Sequence, residues 1–135
     1  MSENLDLVRS LHTEHWERGE FFEYAAWAHP QIDCVMVDGP TPGSGAGLAG
    51  MVHVWQEVIS PYEGFSVAAE EYREIDAGRV LVLVRFSGRG RASGVELGDV
   101  STRNAALFEI DGGLVRRLTL YWDRERAFAD LGLEE

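Results

Sequence analysis

Cysteine is almost missing from this chain: Cys34 stands alone among 135 residues, so no disulfide can close within it. Cations are scarce as well, 12 Lys and Arg against 23 Asp and Glu, and a net charge of −11 argues against the basic patch that nucleic-acid or anionic-membrane binding requires. No apolar run approaches the ~18 residues of a membrane-crossing helix. The opening Met-Ser-Glu-Asn lacks a charged n-region and an apolar h-region, which with the lone cysteine leads to a cytoplasmic expectation. Proline and glycine concentrate only in the seven residues from Gly39 to Gly45, too few for an interdomain linker, and no repeat or low-complexity segment is present. The chain therefore reads as a single domain over residues 1–135. Glycines 43 to 47 lack the Lys-Ser/Thr of a phosphate loop, and His12 and His15, three apart, lack the carboxylate or His-x-Glu pattern that would complete a metal site. No metal or cofactor is expected.

Apolar side chains are plentiful, with 45% hydrophobic and 10% aromatic residues, including four Trp and six Phe. That excludes a disordered chain. A domain of this size buries about two-thirds of its unfolded surface. So many large rings in a small core either fill it or wall a cavity, and both readings stand.

The central stretch is Arg79-Val-Leu-Val-Leu-Val-Arg-Phe-Ser87, between Gly78 and Gly88. Its alternation reads as the centre of an antiparallel sheet, with Val80, Val82, Val84 and Phe86 on one face and Leu81, Leu83 and Arg85 on the other. Both faces require cover: the first implies a pocket, the second a partner subunit. Upstream, Ser2 offers an N-cap, and Leu5, Val8, Leu11, His12, His15 and Trp16 recur at helical spacing. Gly19 ends that helix. A second helix is expected over residues 20–29, carrying Phe21, Phe22, Tyr24, Ala25 and Trp27 up to Pro30. A strand over 31–38, a loop over 39–45 and a third helix over about 46–59 follow. Strands are then expected over 65–76, 79–87, 99–110 and 114–122, the last two joined by Asp111-Gly112-Gly113, and a short terminal helix begins at Asp123. The order is α-α-β-α-β-β-β-β-α, an α+β domain whose helices cover a curved antiparallel or mixed sheet.

This order, with Arg18-Gly19-Glu20, Asp38-Gly39-Pro40, Gly43-Ser-Gly-Ala-Gly47, Phe108-Glu-Ile-Asp-Gly-Gly-Leu-Val115 and Leu120-Tyr-Trp-Asp123, resembles the SnoaL-like proteins of the nuclear-transport-factor-two superfamily. That superfamily also holds ketosteroid isomerases, polyketide cyclases, limonene epoxide hydrolases and scytalone dehydratase. The resemblance runs over nearly the whole chain and implies a cone-shaped sheet and a homodimer through its outer face. It leaves the activity open, because the fold hosts several chemistries and proteins with none.

Three residues are candidates for chemistry. His12 lies on the apolar stripe of the first helix and, by the resemblance, takes the place of the isomerases' hydrogen-bond-donating tyrosine; it reads as donor or base, or as a structural buried histidine. Asp38 falls where the isomerases carry their general base, or serves as a turn aspartate. The isomerases' oxyanion-binding acid is replaced by Ala106, with Asn104 two residues earlier on the same face, so authentic ketosteroid isomerisation is not expected. Arg85, Arg103 and Arg117 have the parity of the outer face, positioned to pair with Glu71 and Glu109 across strands. Trp16, Trp27, Trp55, Phe86, Ala106, Phe108 and Trp122 are the expected walls of a site for a hydrophobic small molecule of polyketide or terpenoid type. The chemistry expected of an enzyme here is cofactor-free isomerisation, cyclisation or dehydration. The alternative is a non-catalytic binding or dimeric assembly module.

Overall fold

In the computed structural model, which describes residues 2–23, 27–92 and 95–133 (side chains outside 91–100), the chain opens with helix α1 (Glu3–Glu14). The Ser2 hydroxyl caps it by accepting the Leu5 N–H at 3.1 Å, and Val8, Leu11 and His12 form its buried stripe. One 3-10 turn, Trp16–Arg18, continues it and stops at Gly19, whose φ of 78° lies in the left-handed region.

Here the structure departs from the expected second helix. Residues 20–23 are not helical, Trp27 already leads into strand β1 (Ala28–Met36), and Tyr24 and Ala25 lie outside the described residues. One local and one long-range hydrogen bond set this path. The Trp27 indole N–H closes back onto the Glu23 carbonyl at 2.8 Å, while the Trp27 carbonyl accepts the Val115 N–H at 2.7 Å, drawing the segment into the sheet.

The glycine loop is shorter than expected, because its second half forms strand β2 (Gly43–Ala46), antiparallel to β1. Helix α2 (Gly47–Ile59) follows. A Cβ on Gly45 would lie 2.4 Å from the Gly50 carbonyl oxygen, so only glycine allows β2 to meet the start of this helix. Strands β3 (Tyr62–Asp76), β4 (Arg79–Ala92), β5 (Val95–Asp111) and β6 (Leu114–Tyr121) then run antiparallel in sequence, and helix α3 (Arg124–Leu131) ends the order. The six strands lie in the order β2-β1-β6-β5-β4-β3, with β1 and β6 parallel. The sheet is mixed and open. Strand β4 stands one place in from the β3 edge, and β6 and β5 hold the middle.

The two faces of β4 separate as its alternation requires. Val80, Val82, Val84 and Phe86 join the main core under α1 and α2, whereas Leu81 and Leu83 enter a second cluster with Ala105, Leu107 and Tyr121, covered by Ala127 and Phe128 of α3. The chain thus covers much of its own outer face.

Arg124 anchors that cover. Buried at the start of α3, it donates to the carbonyls of Asn104 (3.1 Å) and Val84 (2.8 Å) and pairs with Glu70 at 2.6 Å. Hydrogen bonding from Arg124, then from Arg85, holds the Glu70 carboxyl below its usual range. Glu70 rather than Glu71 meets Arg85, at 3.3 Å, because the β3–β4 register shifts between Ala69 and Glu71. Arg117 pairs with Glu109 at 3.7 Å as expected, and Glu71 pairs with Arg73.

Replacing Arg124 by Met keeps the apolar stem but strands two carbonyls. Urea unfolding of that variant at neutral pH is expected to show a loss of about 2–3 kcal/mol. A loss below about 0.5 kcal/mol would reduce the guanidinium to a solvated surface charge.

Candidate functional site

The side of the sheet facing α1 and α2 is an aromatic interior. His12 is fully buried and meets Trp16, Tyr72 and Phe108 edge-on, with ring centroids at 4.7, 5.8 and 5.9 Å. Trp16 in turn contacts Trp55 at 5.0 Å, Phe108 at 5.5 Å and Trp27 at 6.0 Å. From Trp55 the array continues through Phe86 (6.3 Å) to Trp122 (6.2 Å) at the margin. Each of the aromatic residues expected to wall a site is therefore in one contiguous array, and Ala106 lies buried in the same core.

Polar ring atoms in this interior are unpaired. Among the described residues, His12 Nδ1 and Nε2, Trp16 Nε1 and Trp55 Nε1 are buried without a hydrogen-bond partner. Trp27 differs, since its N–H reaches Glu23. Burial lowers the pKa of His12 to about 3, so at neutral pH its ring is uncharged, with one donor and one acceptor nitrogen. The interior thus offers three N–H donors, one acceptor and no charge.

Asp38 and Asn104 are placed at the other end of the array, and both hold Trp122. The Asp38 carboxylate accepts the main-chain N–H of Trp122 at 2.7 Å and of Asp123 at 3.2 Å. Asn104, fully buried, donates from Nδ2 to the Trp122 carbonyl at 2.8 Å, and its Oδ1 accepts from the Phe86 N–H at 3.0 Å and the Thr102 hydroxyl at 2.8 Å. Gly39 completes the grip: a Cβ there would lie 2.5 Å from Trp122 Cβ and Cγ. His12 stands with Trp16, Tyr72 and Phe108, so the three candidates for chemistry fall into two groups along the array. Sequence reasoning missed the Trp16 and Trp55 N–H donors as polar groups, and it missed Tyr62, which lies nearly parallel to Trp122. Their aromatic type was the only signal available.

The interior is tightly closed. A void of about 130 Å³ lined by Tyr62, Phe65, Phe86, Ser87 and Thr102 is too narrow to admit a water molecule. On the adjoining part of the sheet, sharing Ser87 with that void, an open recess of about 550 Å³ lies beside Ser66, Arg89 and Ser101. Burial raises the Cys34 thiol to about 12, which makes it an inert core group. His53 is exposed on α2, and His29 accepts the Gln31 N–H in β1. No helix among the described residues is long and apolar enough to cross a membrane.

This architecture, a mixed sheet with helices over an aromatic interior, is the SnoaL-like, nuclear-transport-factor-two-like fold. Solved structures at 10–19% identity share it across almost their whole length. A nuclear-transport-factor-two-like protein from Burkholderia thailandensis has a TM-score of 0.74 at 18% identity, covering 99% of this chain and 100% of that one. A SnoaL-like polyketide cyclase structure from Jannaschia gives 0.70 at 16%, covering 98% and 94%, and TerC co-crystallised with polyporic acid gives 0.72 at 19%, covering 96% and 98%. No family model matches the chain, and no curated protein does.

The buried imidazole sets a pH response. Its folded pKa lies below the unfolded value of 6.5, so the unfolded chain binds the proton first and stability falls as pH drops from 6.5 toward 3. Between pH 6.5 and 5 the wild-type protein is expected to lose up to about 1.4 kcal/mol per pH unit more than a His12→Phe variant. Equal slopes in urea titrations of the two proteins would contradict a neutral, desolvated His12.

Proposed function

We propose that the chain binds a neutral, hydrophobic small molecule carrying an acceptor oxygen, held in the interior by N–H groups of His12, Trp16 and Trp55. The observation that carries this reading is the set of buried ring nitrogens without partners. Each such group costs about 1–3 kcal/mol when left unmade, and a ligand carbonyl or ether oxygen is the complement that these donors lack. Trp27, Phe86, Ala106 and Phe108 supply apolar wall, and Trp122 stands at the margin. Opening the interior requires ring displacement, which relief of the unpaired donors favours. The likeness to the polyketide cyclase structures supports a polyketide-like ligand class.

Binding is favoured over cofactor-free isomerisation, cyclisation or dehydration. Acid/base work needs a base of suitable strength turned to the substrate. His12 keeps a free lone pair, but burial lowers its pKa to about 3 and makes it a weak base. Asp38 is turned to the main-chain N–H groups of Trp122 and Asp123, away from His12, and Asn104 is committed to Phe86, Thr102 and Trp122. A cytoplasmic setting fits an acidic chain with one buried thiol. A homodimer through the part of the outer face around Arg85 and Arg103, which α3 does not cover, is compatible with this reading.

Thermal unfolding tests it. Acetophenone, a neutral aromatic ketone, is expected to raise the unfolding midpoint saturably by several degrees, while the anion 4-acetylbenzoate, which would meet only neutral rings, leaves it unchanged. No shift with the ketone, or equal shifts with both, contradicts the proposal.

A further inference from the structure

Tyr62 and Trp122 form the one near-parallel ring pair among the described aromatic contacts, tilted by 17° with centroids 6.4 Å apart. Both are only partly buried, so they face the interior on one side and solvent on the other. Their separation is at the long end of aromatic pairing. Two plates that each contact an inserted ring need about 7–8 Å, so a small opening admits one.

Trp122 is fixed more firmly than core packing at a margin demands. Asp38 holds its N–H, Asn104 holds its carbonyl, and Gly39 leaves room for its side chain to lie directly on the backbone. Such restraint suits a plate whose orientation matters. Tyr62 is the first residue of β3, set opposite Gly90 of β4. Inward of the pair lies the narrow void lined by Tyr62, Phe65, Phe86, Ser87 and Thr102, and Phe86 links Trp122 to Trp55. The rim offers hydroxyls, while the far end of the array holds the unpaired N–H groups of Trp55, Trp16 and His12.

We infer that Tyr62 and Trp122 clamp an outer ring of the ligand, so that the molecule taken is an elongated aromatic ketone of at least two rings. This rests on the interior binding proposed above. The array from Trp122 to His12 passes through Phe86, Trp55 and Trp16, a longer path than one ring can occupy. A single-ring ketone reaches the inner donors or the outer plates. A two-ring ketone engages both, which makes the clamp a selector of ligand length. Asp38 and Asn104 act as positioning residues, through the backbone of Trp122.

Calorimetric titration with acetophenone and 4-acetylbiphenyl tests the assignment, using the wild type, Trp122→Ala, Tyr62→Ala, Trp122→Phe and His12→Phe. The wild type is expected to bind the biphenyl ketone at least tenfold more tightly than acetophenone. Trp122→Ala and Tyr62→Ala shrink that preference to threefold or less by weakening the biphenyl ketone more than acetophenone, and Trp122→Phe, which keeps a plate, retains most of it. His12→Phe weakens both ketones alike. Preference intact in both alanine variants, with His12→Phe still weakening both ketones, overturns the clamp and leaves interior binding standing. Preference lost in the alanine variants, with His12→Phe neutral, overturns interior binding and the length selection that rests on it. Failure of the wild type to bind either ketone overturns both.

Discussion

Everything in this fold depends on burying both faces of the sheet at once. A strand such as β4 with Val on one side and Leu on the other has no face to give to water, so the chain must supply two covers. The inner one is α1, the 3-10 turn and α2. The outer one is α3, an eight-residue helix held down by Arg124, whose guanidinium reaches the main chain of β4 and β5. Asn104 lies between the covers. Its carbonyl accepts from Arg124, while its side chain ties Phe86, Thr102 and the Trp122 carbonyl together. The packing of the terminal helix and the position of the marginal tryptophan thus share a residue.

The inner cover has a chemical consequence. Packing Trp16, Tyr72 and Phe108 edge-on around His12 removes it from water and from any charge that would hold its proton, leaving a neutral ring among aromatic neighbours. Buried polar groups without partners are rare in native proteins because they oppose folding, and they concentrate where a molecule has another use for them. Here the unpaired atoms are neighbours in one array, whereas the polar groups that serve the fold, Asp38, Asn104 and Arg124, are well bonded. The contrast separates polarity that serves the fold from the polarity on which the proposed ligand binding rests.

Much of this could be read from local pattern. The strict alternation of residues 80–86 encodes the two faces, the 3.6-residue spacing turns His12 inward, and Asp111-Gly112-Gly113 turns β5 into β6. What remained hidden depends on partners far along the chain. The segment around Phe21 and Trp27 has the composition of an amphipathic helix, yet Gly19 stops α1 and Val115 draws Trp27 into the sheet. Asp38 was legible only as a general-base candidate or a turn aspartate, because the partner it holds, the Trp122 N–H, lies 84 positions away. Arg124 carried no local signal at all, since an arginine opening a helix opposes the helix dipole and becomes favourable only when Glu70, Val84 and Asn104 converge on it.

The central claim is that the interior indole N–H groups await a ligand oxygen. The most direct measurement is a ¹H–¹⁵N correlation spectrum of the four tryptophan side chains, assigned by single Trp→Phe variants and recorded as 4-acetylbiphenyl is added. The account predicts that the Trp16 and Trp55 indole protons begin at positions typical of unbonded N–H and move downfield together on binding, while Trp27, already bonded to Glu23, stays in place. Indole signals of Trp16 and Trp55 that are hydrogen-bonded from the outset, or unmoved at saturation, would contradict it.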